Sequence, residues 1–152
     1  MKKCLFLAVV LVASMLTFTS CDKKDNANSP LVGVWTYTNE PNSDGWYNVL
    51  YVIFNADGAF EFQDEAHDPD NPSAHDVMFF EGKYDVKNDV ITAHFLQHGW
   101  IHGTTREYVP SFEPYDEQIR FVIQDNTLTL TRYYGTADAY TEVYYKSNAT
   151  HN

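Results

Sequence analysis

Three histidines, His94, His98 and His102, recur at four-residue spacing, and converging imidazoles are what a zinc ion needs. A helix would bring them to one face. In a strand, His94 and His98 share a face, while Gly99 and Gly103 break the run. Zinc normally takes three or four converging ligands, so the expectation is surface histidines beside a loop and no metal. The stretch Asp64 to Asp76 crowds Asp64, Glu65, Asp68, Asp70 and Asp76 together, oxygen donors of the kind calcium accepts. It lacks the central glycine and the terminal glutamate of an EF-hand at their offsets, so a solvated acidic loop is expected. Gly-x-Ser-x-Gly, a phosphate-cradling glycine loop and His-Glu-x-x-His are all missing from the sequence. Pairs such as Asp64-Glu65 and Asp116-Glu117 are too common in so acidic a chain to mark a general acid and base. Neither an enzyme nor a cofactor is expected.

The N-terminus carries the sharpest signal. Met1-Lys2-Lys3 is a positive start, Cys4 to Phe18 is a nearly unbroken apolar run, and Thr19-Ser20 places small residues before Cys21. That is the layout of a secretory signal peptide over residues 1–20. The apolar run is shorter than the ~20 residues of a membrane-spanning helix. Leu16-Thr17-Phe18-Thr19-Ser20-Cys21 resembles a bacterial lipobox, with Phe18 in place of the usual small aliphatic residue. The resemblance implies a lipid on Cys21 and attachment to a membrane through that lipid. Cys4 would leave with the leader, so the mature chain would hold neither a disulfide nor a second thiol.

Removing Lys2 and Lys3 leaves 8 Lys+Arg against 21 Asp+Glu, a formal charge of −13. Nucleic acid is excluded as a partner, because phosphate binding draws on clustered Lys and Arg. Residues 21–30 form a polar tether with nothing larger than alanine to bury after Cys21. Lys24-Asp25 resembles the acidic export signals of surface lipoproteins in Bacteroidetes. The expected location is the bacterial cell envelope, as an outer-membrane lipoprotein facing the periplasm or displayed at the surface.

The remaining residues, 31–152, have the length of one domain. Period-two alternation predicts strands at Leu31–Tyr37, Trp46–Phe54, Ala59–Gln63, Val77–Lys87, Val90–Gln97, Arg106–Val109, Gln118–Gln124, Thr127–Tyr133 and Tyr140–Lys146. Asp57-Gly58, Asn88-Asp89 and Asp125-Asn126 supply tight turns. On Val77–Lys87, Met78, Phe80, Tyr84 and Val86 share one face, and Glu81, Lys83 and Asp85 share a wet one. Short antiparallel strands with local turns favour a single all-β, up-and-down barrel of about eight strands, which removes exposed edges. A sandwich is the alternative. A monomer is expected.

Gly33-Val34-Trp35, the phrase Phe54 to Phe60, Gly82-Lys83-Tyr84, Asn88-Asp89-Val90-Ile91 and Leu128 to Arg132 together resemble lipocalin-like bacterial lipoproteins, relatives of the calycin barrels. In that family the first-strand tryptophan closes the barrel base under a basic residue from a late strand. The resemblance implies a pair Trp35–Arg132, with Lys146 as the other basic candidate. Eight strands enclose a space that side chains just fill or that holds one small ligand. The large inward candidates Phe60, Phe62, Phe80, Tyr84 and Phe121 would line it.

Two functions follow. One is a lipid-anchored module binding a small apolar or amphipathic molecule within the barrel. The other is a surface interaction protein with a filled barrel, stacking a sugar or protein partner on Trp46, Trp100 and tyrosines 133, 134, 144 and 145.

Overall fold

The computed structural model describes residues 29–71 and 75–148. The leader at 1–20, Cys21 and the tether up to residue 28 lie outside the described residues. Every regular element described is a strand: β1 (Gly33–Thr38), β2 (Tyr47–Phe54), β3 (Ala59–His67), β4 (His75–Lys87), β5 (Val90–His102), β6 (Thr105–Tyr108), β7 (Tyr115–Gln124), β8 (Thr127–Arg132) and β9 (Tyr140–Ser147). The hydrogen-bonded order is β4-β3-β2-β1-β9-β8-β7-β5-β6, and pairing of β4 with β5 closes eight of the strands into an antiparallel up-and-down barrel. β6 stands outside the ring on the far half of β5, where Gly99 pairs with Tyr108. The closed barrel is consistent with a lipocalin-like fold.

The turns follow from residues that accept a left-handed backbone. Gly58 (φ 82°) ends the β2–β3 turn, and Asn88 (φ 58°) and Asp125 (φ 55°) hold the next two on the same end. Asn and Asp are the non-glycine residues best able to do so. Those three turns and the segment 29–32 form one end of the barrel, the base. The connections 39–46, 103–114 and 133–139 lie at the opposite end, the mouth.

One extra residue reshapes the long β4–β5 hairpin. Glu81 faces Gln97 and Gly82 faces Phe95, so Leu96 is a bulge on β5. A bulge reverses which face later residues take. His94 points outward against Asp116, whereas His98 turns inward and stacks on Phe80 with centroids 4.9 Å apart. Only glycine fits beside the bulge, since a Cβ on Gly82 would lie 1.9 Å from the His94 carbonyl oxygen.

The outer face is not uniformly wet, contrary to the expectation from alternation. Phe79 is 0% exposed and Gln63 only 6%. β6 folds over them, with the Arg106 guanidinium 4.6 Å above the Phe79 ring and the Tyr108 ring edge-on at 5.3 Å. Arg106 also bonds Glu61 (2.7 Å) and Glu81 (3.2 Å), which fixes this flap.

Candidate functional site at the barrel mouth

The base is sealed by apolar packing. Leu31 and Trp35 are both 0% exposed, and the Trp35 indole N–H donates to the Leu31 carbonyl at 2.8 Å. The cation over Trp35 is Lys146, 4.9 Å from the ring, and its ammonium also reaches the Val32 carbonyl at 3.3 Å. Trp35 and Lys146 are register partners on β1 and β9, so the pair is set by strand pairing. Gly33 makes room, because a Cβ there would press on the Lys146 stem at 3.2 Å.

The expected pair Trp35–Arg132 is therefore replaced. Arg132 ends β8 at the mouth, where it faces Phe62 (5.5 Å) and Phe95 (5.9 Å). Its Nε donates to Glu117 at 3.0 Å, and Nη2 donates to the second oxygen of the same carboxylate. The two side chains are 12% and 5% exposed. A bidentate pair is the arrangement that makes such burial tolerable. Burial works against the charge on Arg132, but hydrogen bonding and attraction to Glu117 outweigh it and hold its pKa above the ordinary value.

A second acid completes this centre. On β9, Tyr140, Glu142 and Tyr144 share the inward face by alternation. Burial pushes the Glu142 pKa up, with Arg132 and Tyr144 pulling it down. Burial, then Glu142, push up the pKa of the fully buried Tyr144 hydroxyl. Although Glu142 and Tyr144 act on each other, neither Glu142 Oε2 nor the Tyr144 hydroxyl makes a hydrogen bond of ordinary geometry among the described residues, and the same holds for His98 Nδ1. Buried polar atoms without partners are rare enough in folded proteins to call for an explanation.

Around the centre stand Tyr115 (42% exposed), Tyr133 (49%) and Tyr140 (44%). Tyr115 stacks on Phe95 at 4.7 Å, and Tyr133 lies 5.9 Å from Tyr140. Burial raises the pKa of Tyr115 and of Tyr140, while the nearby Arg132 opposes the rise in both. Tyr133 has a left-handed backbone (φ 49°), which ends the strand one residue earlier than alternation predicts. Two bonds to its carbonyl, from the Thr136 amide at 3.2 Å and hydroxyl at 2.7 Å, hold that conformation.

The large inward candidates do not form one cup. Phe60 and Phe80 meet edge-on around Phe95, at 5.0 and 6.0 Å, and Phe62 joins them beneath Arg132. Tyr84 belongs to the base, its hydroxyl donating to the Asn55 carbonyl at 2.9 Å. Phe121 packs half-buried near the same end, its amide bonded to the Asp89 carbonyl. Of the five, Phe60 and Phe62 border a cavity of about 20 Å³, lined also by Phe95, Leu130 and Arg132. That is room for about one water, against the roughly 300 Å³ or more of ligand pockets.

The metal candidates disperse. His94 lies between Asp116 (2.7 Å) and Asp85 (3.7 Å) on the outer face, His98 points inward, and His102 faces Asp76 at 3.3 Å. Asp64 accepts from Asn48 inside β3, and β3 and β4 absorb much of the expected acidic loop, whose residues 72–74 lie outside the described residues. Among the described residues no three His, Cys, Asp or Glu side chains converge as metal ligands. Of the tyrosines expected as external platforms, Tyr144 is 0% exposed and faces inward. Phe95 and Glu142 carry no mark in the sequence that singles them out, although Glu142 shares its alternation phase with two tyrosines, and Glu117, set aside there as half of a common acidic pair, proves to be the partner of Arg132. No protein-family model matches the chain, and no curated protein matches it either.

Proposed function

We propose that this chain is a non-enzymatic, lipid-tethered envelope protein whose lipocalin-like barrel binds an amphipathic small molecule at its mouth rather than in its interior. The carrying observation is a contrast within one barrel. The interior keeps a cavity of about 20 Å³, while three half-exposed tyrosines surround a charged centre at the open end. This joins the small ligand of one expectation to the filled barrel of the other. The leader-like residues 1–20 and Cys21 support the tether and the envelope location.

Amide chemical-shift mapping with three soluble probes tests the reading: tyramine, N-acetylglucosamine and decanoate. Saturable shifts concentrated at Tyr115, Glu117, Arg132–Tyr134 and Tyr140–Glu142 are the expected result. Shifts confined to the core around Val52, Ile91, Ile119 and Leu128 would move the ligand inside the barrel and overturn it.

A further inference from the structure

Charge inside the mouth does not balance. Arg132 supplies one positive charge, and Glu117 takes it with both oxygens. Glu142 is left as a second acid, and no ion pair is formed by it among the described residues. Its buried Oε2 and the buried Tyr144 hydroxyl act on each other, yet neither makes a hydrogen bond of ordinary geometry among the described residues. Tyr144 is 0% exposed, so this strained polar pair is built into the wall and not merely into the rim.

The rings at the rim complement that pair. Tyr133 and Tyr140 lie 5.9 Å apart with planes inclined by 52°, and so form a corner. Tyr115 stacks on Phe95, the ring that Arg132 faces at 5.9 Å, Tyr140 is the register partner of Arg132, and Tyr133 follows Arg132 in the chain, which places all three tyrosines around the same centre. A bulky residue seldom adopts the left-handed backbone of Tyr133, so its ring is held by the turn and not by local preference. The negative edge of a carboxylate together with the negative faces of several rings suits a weakly hydrated organic cation. A formal charge of −11 over the whole chain draws such cations toward it.

We propose that the corner formed by Tyr115, Tyr133 and Tyr140 over Glu142 is a binding site for an organic cation, an alkylammonium or quaternary ammonium group. The proposal rests on the mouth reading above and names its ligand class. A bare metal ion is a poor match, since three ligating side chains do not converge among the described residues.

Choline and its uncharged isostere 3,3-dimethylbutan-1-ol separate charge from shape. Both are titrated into the full chain in uncharged detergent, with amide and tyrosine-ring shifts as the readout. Choline is expected to saturate at the mouth, with the isostere about tenfold weaker or worse. Glu142→Gln should weaken choline by a similar factor, with an unchanged far-ultraviolet dichroism spectrum. Tyr133→Leu and Tyr140→Leu, which keep bulk but lose the ring face, should act in the same direction and serve if Glu142→Gln fails to fold. Equal affinity for choline and the isostere, indifference to these substitutions, or no saturation by choline overturns the proposal. If N-acetylglucosamine or decanoate shifts the mouth while choline does not, the cation assignment fails and the mouth reading stands. Silence of the mouth toward all of them removes both.

Discussion

The two ends of this barrel dispose of a cation and an aromatic ring in opposite ways. At the base, Lys146 lies over a fully buried Trp35 and keeps its ammonium at the surface, bonded to a backbone carbonyl. The charge stays wet and the ring stays dry. At the mouth, Arg132 is drawn inside, neutralised by Glu117, and followed by a second carboxylate, Glu142, that forms no ion pair among the described residues. Tyrosines there are left half-exposed. The base is arranged as a closure, whereas the mouth carries an electrostatic cost that closure does not require. A cost without a structural return is where function is to be sought.

Substitutions at the two ends should separate these roles. Trp35→Ala removes the largest fully buried side chain and should cost about 5 kcal/mol, the upper end for such truncations, read by denaturant unfolding. Arg132→Ala, which strands the buried Glu117, should cost about 3–5 kcal/mol in the same assay. The double variant Arg132→Met with Glu117→Leu should cost clearly less than Arg132→Ala alone, because Glu117 is no longer left buried and unpaired. If the double variant is as unstable as the single one, the ion pair is doing more than neutralising itself. Gly82→Ala, between the two ends, should cost about 1–3 kcal/mol through the collision with the His94 carbonyl. Lys146→Met should cost only about 0.5–1 kcal/mol, since its ammonium is exposed.

The smallest effect is the most specific. The folded state raises the Glu142 pKa, so the folded protein holds that proton more tightly than the unfolded chain. Its contribution is then fully present below the ordinary carboxylate range and is lost as pH rises through the raised value. Glu142→Gln should therefore be more stable than the parent at neutral pH, with the difference vanishing under acid. Paired unfolding curves at several pH values measure it. A difference that grows under acid would mean that Glu142 is stabilised in its charged form, and the mouth would then resemble the base.

Much of the barrel was legible in the chain. Alternation placed all nine strands, and Asp57-Gly58, Asn88 and Asp125 marked turns because few other residues accept a left-handed backbone. The ends of strands were less legible. β3 continues to His67 and β5 to His102 through residues with no clean alternation, since backbone pairing with β4 carries them. The bulge at Leu96 left no local mark beyond Gly82, which belongs to the neighbouring strand. For that reason His94 and His98 were placed on one face and lie on two. Burial of Phe79 on the outer surface was equally hidden, because its cover comes from Arg106 and Tyr108 on a strand further along the chain.

By itself the sequence determined the all-β class, the antiparallel ladder, the acidic character and which side chains alternate inward along most strands. These depend on the pleat and on turn preferences, both of which act over a few residues. Tertiary structure alone decided that Lys146 rather than Arg132 covers Trp35, that the interior is filled, and that Arg132, Glu117 and Glu142 share the mouth with three tyrosines. Each of those outcomes depends on the register between strands distant in sequence, and register is chosen by the closure of the whole barrel rather than by any segment of it.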